Sequence, residues 1–296
     1  MNNKQLKMIA IVLGAAVLLY LPRIFRDDGS GGSIDVGDGF RFVLEDTVTR
    51  IDIVEPDNAG TIRLEHGSNG WTVDGYRADE RKVENLLEVL PNLYSDVLVA
   101  RNPTNHSRMG VSESGRRISV YTDDPVPLEF YLGIRDIRGA GYFVRIPEMD
   151  AVFRLDSPVC GYLNRERDGW RPRTIAAIDT AQVRQIVLQR EGTETVLHRG
   201  DSGWTAGEAV ADSAALQGIL GLLPNLSLTA FTSEEEAAAA DFSQAQTAVD
   251  VFYSAATEET PALSLLLIQD EEQGDWLVRH TAGSEVYRLA TFTVNR

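Results

Sequence analysis

The feature that most constrains the fold of this chain is a stretch of 23 residues that occurs twice, at 71–93 and again at 204–226. The two copies align without a gap at a constant offset of 133 residues, and nine of their positions are identical. Both copies begin with Trp-Thr and end with Leu-Pro-Asn-Leu. Similarity at a fixed period is the mark of a duplicated structural unit. The sequence therefore predicts two tandem modules of one architecture.

Each copy carries the pattern of a single amphipathic helix. In the first copy an apolar stripe follows Asp79, which is a suitable N-cap residue. The stripe repeats every three or four residues, as one face of a helix requires, and consists of Val83, Leu86, Leu87 and Leu90. Pro91 cannot continue the helix. The second copy repeats the stripe after Asp212.

Short runs of β-branched and aromatic residues surround this helix in both copies. Ile51 and Ile53 alternate with polar residues before the first helix, and Ile186 and Leu188 do so before the second, as half-buried strands do. The runs after the helices are 117–121, 128–132, 142–146 and 152–155, and then 249–253, 263–267, 276–279 and 286–289. Strands grouped around one helix indicate an α+β fold with antiparallel sheets. We assign the first module to 47–176 and the second to 177–296.

An apolar run at 8–25 precedes the modules, with Lys4 and Lys7 on its N-terminal side. A helix of roughly 18 residues spans about 27 Å, close to the thickness of the hydrocarbon core of a bilayer. A cleaved signal peptide is the alternative, but no small-x-small cleavage site follows the apolar run. We therefore predict an uncleaved, N-terminal transmembrane anchor at 1–26, which makes the membrane itself a partner through residues 8–25.

The stretch at 27–46 begins with many Gly, Ser and Asp residues, which is typical of a flexible tether. Positive charges flank the anchor equally on both sides, so the positive-inside rule does not decide its orientation. The short N-terminal tail favours a signal anchor with a cytoplasmic N-terminus. We expect a single-pass protein of the inner membrane whose modules lie in the periplasm or outside the cell.

The net charge of −16 and the pI near 4.7 argue against nucleic acid as a partner, because phosphates attract basic surfaces. Residues 181–296 alone contain 17 Asp and Glu against 6 Arg. Cys160 is the single cysteine, so no intrachain disulfide can form.

No catalytic signature appears in the sequence. It has no Gly-x-Ser-x-Gly elbow, no His-Glu-x-x-His, no P-loop and no Cys-x-x-Cys. His66 and His198 lie near the repeated turns but one position out of register, which favours exposed strand ends over a shared metal site. We predict no catalytic residues, no cofactor and no metal, and hence a protein that is not an enzyme.

Arginines around one tryptophan form the most unusual polar patch of the sequence. The patch comprises Arg165, Arg167, Trp170, Arg171 and Arg173. It is a candidate contact surface for a protein partner, and a salt-bridged junction between the modules is the alternative. Trp71 and Trp204 open a strand in each repeat, which favours core positions over ligand stacking.

Several of these motifs together resemble the bacterial domain-of-unknown-function family 4340. They are the Gly-x-x-Gly-Trp turns, the helix ending in Leu-Pro-Asn-Leu, and a meander that runs through Leu-Glu-Phe-Tyr-Leu-Gly, Tyr-Phe-Val-Arg and Val-Phe-Arg-Leu. The resemblance implies a membrane-anchored envelope protein, often encoded beside ABC transporter components of the gliding-motility type. It implies no catalytic residues.

From these observations we expect a non-enzymatic, membrane-anchored envelope protein. Its expected role is that of an accessory or scaffold subunit in a larger membrane assembly, associated with an ABC transporter, whose partners are the protein subunits of that complex. The alternative is a module that binds a small molecule or a glycan in the cleft between the two repeats.

Overall fold

The chain folds into two units, which divide between Arg171 and Pro172. The computed structural model describes residues 33–35, 39–137, 141–254, 260–270 and 272–291. The predicted anchor at 8–25 and the first part of the predicted tether lie outside these residues. Across the described ranges, no helix is both long enough and apolar enough to span a bilayer.

The first unit contains twelve strands and three α-helices within the described residues. The strands are β1 (Ser33–Asp35), β2 (Phe40–Val43), β3 (Arg50–Val54), β4 (Thr61–Gly67), β5 (Gly70–Val73), β6 (Tyr76–Arg77), β7 (Asn92–Ser95), β8 (Leu98–Ala100), β9 (Arg117–Tyr121), β10 (Leu128–Arg135), β11 (Tyr142–Arg145) and β12 (Val152–Leu155). The helices are α1 (Glu80–Val89), α2 (His106–Met109) and α3 (Pro158–Leu163).

The second unit contains eleven strands and two α-helices within the described residues. The strands are β13 (Thr174–Ala176), β14 (Gln185–Arg190), β15 (Thr193–Gly200), β16 (Gly203–Ala206), β17 (Ala209–Val210), β18 (Leu226–Ser227), β19 (Ala230–Phe231), β20 (Thr247–Phe252), β21 (Leu263–Asp270), β22 (Asp275–His280) and β23 (Val286–Leu289). The helices are α4 (Ser213–Leu222) and α5 (Glu234–Ala239).

The two units share one strand order. The large sheet of the first unit runs β6-β5-β4-β3-β9-β10-β11-β12-β8, and that of the second runs β17-β16-β15-β14-β20-β21-β22-β23-β19. Every pairing in both sheets is antiparallel. A small sheet accompanies each, β1-β2-β7 in the first unit and β13-β18 in the second. The prediction of a strand-rich α+β fold with antiparallel sheets is confirmed.

Both predicted helices form where the apolar stripes lie, since α1 ends at Val89, just before Pro91, and α4 ends at Leu222. Their N-caps differ. The Asp212 side chain accepts a hydrogen bond from the backbone N–H of Ala215 (2.8 Å), whereas the Asp79 side chain makes no capping bond. Asp79 therefore occupies the N-cap position of α1, as predicted, although only Asp212 of α4 caps its helix with a side-chain bond.

The core of the first unit lies between one face of its sheet and α1. Ile51 and Ile53 of β3 and Val83 and Leu86 of α1 are fully buried in one cluster. Complete burial of such a side chain stabilises the fold by roughly 2 kcal/mol. In the second unit Ile186 of β14 holds the corresponding place, but α4 has no fully buried residue. Helix α4 is thus packed less tightly than α1.

The structure corrects the extent of the predicted tether. Residues 40–43, inside the stretch assigned to the tether at 27–46, form β2, which pairs with β7. Phe40 and Phe42 are completely buried, and each ring contacts Phe130 edge-on, at centroid distances of 5.9 and 5.7 Å. Residues 40–43 therefore belong to the folded first unit, because burial of two aromatic rings outweighs the flexibility of the glycines around them.

Candidate functional site

The arginine patch predicted as a partner contact falls in two places. Arg165, Arg167, Trp170 and Arg171 belong to the first unit, where 167–170 form a 3-10 turn. Arg173 belongs to the second unit, in which its guanidinium donates to the carbonyl of Thr229 at 2.5 Å. Within the first unit, the structure brings Arg165, Arg167, Trp170 and Arg171 together around one turn.

Trp170 and Arg171 are buried rather than displayed. Trp170 is fully buried and its carbonyl accepts from the backbone N–H of Asp79 (2.7 Å), at the start of α1. The Arg171 guanidinium stacks on the ring of Tyr76 at 4.2 Å, and Arg171 is only 4% exposed. Arg165 and Arg167 keep part of their surface exposed, and Arg173 is exposed. Trp170 therefore packs inside the first unit, and its carbonyl links this turn to the start of α1.

The buried side chain of Arg145 lies on the face of the first sheet that is turned away from α1. Arg145 is 3% exposed, and its guanidinium donates to Glu113 at 2.8 Å and to the carbonyl of Val111 at 2.6 Å. The Tyr131 hydroxyl donates to the same carboxylate at 2.6 Å. Burial, followed by this hydrogen bond, raises the pKa of Tyr131 to about 12. The two hydrogen bonds, that of Tyr131 first, lower the pKa of Glu113.

Arg288 holds a comparable network in the second unit. Its side chain is 7% exposed, and its guanidinium meets Asp275 at 2.6 Å, Glu236 at 2.7 Å and Asp270 at 2.9 Å. The bond from Arg288 lowers the pKa of Asp270. Arg154, at the equivalent position of β12, pairs with Asp136 at 3.4 Å. These contacts join neighbouring segments of one unit and do not converge on a cavity.

The nucleophile and metal-ligand candidates occupy structural positions. Cys160 is fully buried, and burial raises the pKa of its thiol to about 12, which disfavours the reactive thiolate. The ring of His66 lies 5.2 Å from that of Trp71. His106 Nε2 is 3.0 Å from the Asp150 carbonyl. Among the described residues, no group of three or more His, Cys, Asp or Glu is placed to hold a metal ion.

The two repeated tryptophans lie in the cores, as their strand positions predict. Trp71 is 6% exposed and belongs to the main cluster of the first unit, while Trp204 is partly buried and packs against the cluster of the second.

A large apolar cavity lies inside the second unit, between the sheet and α4. We call it the second-unit cavity; its volume is about 590 Å³. Its sheet side consists of Leu188, Val249, Leu263, Leu265, Leu267 and Leu289. Its helix side consists of Ile219, Leu222, Leu223 and Leu226. Its polar residues are Arg190, Glu191, Thr193, Thr195 and Thr247. Small-molecule sites typically measure roughly 300–1,000 Å³ and are mainly apolar.

The same space is filled in the first unit by larger side chains. Leu265 pairs with Val249 of β20, and the fully buried Phe130 pairs with Ile118 of β9, the equivalent strand of the first unit. Leu265 therefore holds the position that Phe130 has in the first unit. In the small sheets Ala176 pairs with Leu226, whereas Phe42 pairs with Leu93. Two phenylalanine rings of the first unit thus correspond to a leucine and an alanine in the second.

The sequence analysis did not predict this cavity. The signal was present in the aligned meanders, where Leu-Glu-Phe-Tyr-Leu at 128–132 corresponds to Leu-Ser-Leu-Leu-Leu at 263–267. That substitution points to a void only after the register shows which side chains face α4.

Exposed apolar side chains extend from β7 of the small sheet to β8, the edge strand of the large sheet of the first unit. These residues, which we call the edge strip, are Tyr94, Val97, Leu98 and Val99, between 39% and 52% exposed. Strand β8 is the last in the sheet order and pairs with β12 on one side. On its other side, no strand of the described part of the chain pairs with it.

A second space, of about 600 Å³, lies among loops of the first unit and is lined mainly by polar residues and glycines. Arg116 in its wall is already engaged, because its guanidinium contacts Glu55 at 2.6 Å and donates to the Leu163 carbonyl at 2.9 Å.

Comparison with known proteins identifies the family. A family model described as "Domain of unknown function (DUF4340)" matches residues 71–245, from the first tryptophan turn into the second unit. The match covers more than half of the chain, so the chain belongs to this family, as the repeated turns and meander predict. No curated protein and no solved structure gives a significant match.

Proposed function

We propose that this member of the DUF4340 family is a non-enzymatic accessory subunit of a larger membrane assembly, and that another protein of the assembly docks on the edge strip. The edge strip, Tyr94, Val97, Leu98 and Val99, is the observation that carries the proposal. An apolar, unpaired edge strand is a template for association.

The edge strip differs from the way proteins usually protect a sheet edge. Natural edges carry charged residues, prolines or covering elements that prevent pairing with another chain. Here Leu98 and Val99 are 40% and 39% exposed on neighbouring positions, so side chains on both faces of β8 reach solvent. An extended segment of a partner can add to such an edge through main-chain hydrogen bonds while its side chains cover the apolar groups.

The corresponding edge of the second unit is built differently. Strand β19 has only two residues, Ala230 and Phe231, and both are partly buried. The acidic helix α5 follows it, with a capping box between Ser233 and Glu236. Because β8 is itself only three residues long, the two edges differ in exposure and charge rather than in length. A partly buried edge beside negative charge is the poorer template, so we place the docking side on the first unit.

The non-enzymatic part of the proposal rests on how charged groups are used. The buried charges of Arg145 and Arg288 are satisfied by carboxylates and carbonyls within their own units. An active site instead needs titratable groups that converge on a place open to substrate. The second-unit cavity contributes aliphatic side chains, with Arg190 and Glu191 as its charged residues.

The membrane part of the proposal rests on the sequence and the family. The apolar run at 8–25 supports a single-pass anchor in the inner membrane, and the modules then lie in the periplasm or outside. The resemblance to envelope proteins encoded beside ABC transporters supports an ABC system as the assembly. Ligand binding in a cleft between the repeats stays an alternative prediction.

The test is isolation of the full-length, tagged protein from its native membrane by gentle detergent extraction, followed by quantitative mass spectrometry. Leu98→Lys places a charge in the edge strip, and Ile137→Lys is the matched control, because Ile137 is 97% exposed and lies outside the strip. We expect stoichiometric membrane subunits with the wild type and with Ile137→Lys, and a loss of about tenfold with Leu98→Lys.

Two results would overturn the proposal. One is a wild-type protein that is isolated alone, or a Leu98→Lys variant that retains the same subunits. The other is a hydrolytic activity of the purified protein that a point substitution abolishes, which would remove the non-enzymatic assignment.

A further inference from the structure

We propose that the second-unit cavity binds the single alkyl chain of an anionic amphiphile, and that Arg190 receives its head group at the polar end of the cavity. This site is independent of the edge strip, because all its residues belong to the second unit. The ligand site can therefore be tested independently of the proposed docking function.

The cavity has the size and lining of an alkyl-chain site. Its volume of about 590 Å³ is roughly four times that of an engineered 150 Å³ apolar cavity that takes up benzene, so it admits a chain of roughly ten carbons or more. The sheet side and the helix side present Leu, Ile and Val only, with no aromatic ring. Such a surface favours a flexible aliphatic chain over a planar ring, because it offers no aromatic side chain on which a ring could stack.

Polarity is graded along the cavity, as an amphiphile requires. Strand pairing arranges Thr193, Arg190, Thr247 and Leu267 in one row across β15, β14, β20 and β21. The next row is Thr195, Leu188, Val249 and Leu265. The third row is Leu197, Ile186, Val251 and Leu263, of which Leu263 lines the cavity. The first row therefore carries two threonines and Arg190 beside one leucine, and the share of aliphatic side chains rises in the next two rows.

Arg190 makes the polar end suited to a negative charge. It is exposed, and no carboxylate of the described residues forms an ion pair with it, although Glu191 also lines the cavity. At the equivalent end of the first unit Glu55 and Arg116 form an ion pair at 2.6 Å. The first unit closes this end with its own charge pair, whereas in the second unit Arg190 and Glu191 both line the cavity without an ion pair between them.

The first unit also shows how the cavity would be closed. Its second row is Ile62, Ile53, Ile118 and the fully buried Phe130, each at least as bulky as its counterpart in the second unit. Restoring the first-unit residue in the second unit, Leu265→Phe, should fill the space that the alkyl chain needs. The repeat thus supplies the filling variant with a known packing solution.

The binding test uses full-length protein transferred from detergent into amphipol, so that free detergent does not compete, and tritiated hexadecanoate as the probe. We expect saturable binding by the wild type and by Val210→Phe, the control that adds a ring at an 86% exposed position. Leu265→Phe should weaken binding at least about tenfold. If Leu265→Phe fails to fold, Thr195→Ile, which restores Ile62 of the first unit, is the second filling variant.

The head-group test compares chains of equal length. Arg190→Gln should weaken hexadecanoate binding about fivefold, as expected for a solvent-accessible ion pair, and leave hexadecanol binding unchanged. Hexadecyltrimethylammonium should bind more weakly than hexadecanoate. Tighter binding of lysophosphatidylglycerol than of hexadecanoate would identify the natural ligand as a membrane lipid. Tighter binding of hexadecanoate would identify it as a free fatty acid. Either result supports the proposed site.

Three outcomes would overturn the proposal. These are equal hexadecanoate binding by the wild type and both filling variants, an unchanged preference for hexadecanoate over hexadecanol in Arg190→Gln, and equal affinity for the cationic and anionic probes. A failure of the docking test with Leu98→Lys would leave all three measurements unaffected, because Leu98 lies in the first unit.

Discussion

The guanidinium of Arg288 donates to the carboxylate of Asp275 across 2.6 Å, and the arginine side chain is only 7% exposed. Glu236 and Asp270 approach the same guanidinium at 2.7 and 2.9 Å. The carboxylates come from helix α5 and from the β21–β22 hairpin. Arg288 of β23 therefore joins three separate segments of the second unit through one buried positive charge.

Replacement of this charge should destabilise the second unit. Arg288→Met keeps much of the side-chain volume but removes hydrogen bonds to three partly exposed carboxylates, and we expect a loss of about 2 kcal/mol in the free energy of unfolding. Urea unfolding of the full-length protein, with hydrogen exchange to locate the change, measures it. The control is Arg184→Met, an exposed position, which should stay within about 0.5 kcal/mol. Equal stability of the two variants would contradict the prediction.

Acid should remove the same stabilisation. The hydrogen bond from Arg288 holds the pKa of Asp270 below its ordinary 3.8, and bonds from the Ser233 backbone and Arg288 hold that of Glu236 below 4.5. Both groups bind fewer protons in the folded state, so their stabilisation is complete above the ordinary pKa and is lost as the pH falls through the lowered value. We expect the stability gap between wild type and Arg288→Met to narrow between about pH 6 and about pH 3. A constant gap would argue against it.

The first unit should instead be sensitive to alkali through Tyr131. Burial and the hydrogen bond to Glu113 raise the pKa of Tyr131 from 10.0 to about 12. The folded state keeps this proton longer, so the stabilisation is complete below pH 10 and disappears as the pH rises toward 12. Tyr131→Phe should remove this pH dependence and cost about 1.5 kcal/mol at neutral pH. Absorbance titration of the wild type should show one tyrosine that titrates near pH 12, and Tyr131→Phe should lose it. An unchanged titration curve in Tyr131→Phe would contradict the prediction.

Much of the fold was predictable because the repeat supplied its own alignment. The runs predicted at 117–121, 152–155 and 286–289 coincide with β9, β12 and β23. These strands lie inside sheets and carry enough apolar residues to be recognised locally. The edge and connecting strands β6, β8, β17 and β19 have two or three residues each, and their pairing depends on neighbours distant in sequence.

The candidate sites were harder to predict, for a physical reason. A cavity is defined by what is missing between several segments, and no single residue of the second unit signals it. Leu265 is an ordinary strand leucine until the register places it opposite α4, where the first unit has Phe130. Likewise, the burial of Trp170 in the arginine patch depends on the turn that folds it against α1.

The equivalent aspartates at the starts of the two helices make different contacts, and this difference gives a further prediction. The Asp212 carboxylate accepts from the Ala215 N–H at 2.8 Å and so satisfies one of the free donors at the start of α4. Asp79 makes no such bond; its carboxylate lies 3.4 Å from the Lys82 ammonium in a partly exposed pair. We expect Asp212→Ala to cost about 1 kcal/mol, and Asp79→Ala to cost less than about 0.5 kcal/mol.

Each variant serves as the control for the other, since both remove one carboxylate from the same position of the repeat. Native-state hydrogen exchange of the full-length protein measures the opening free energy of α4 and of α1 separately. Asp212→Ala should accelerate exchange along α4, where no residue is fully buried, and leave α1 unchanged. Equal losses at the two helices would show that the repeat position, and not the side-chain bond, sets the contribution of these aspartates.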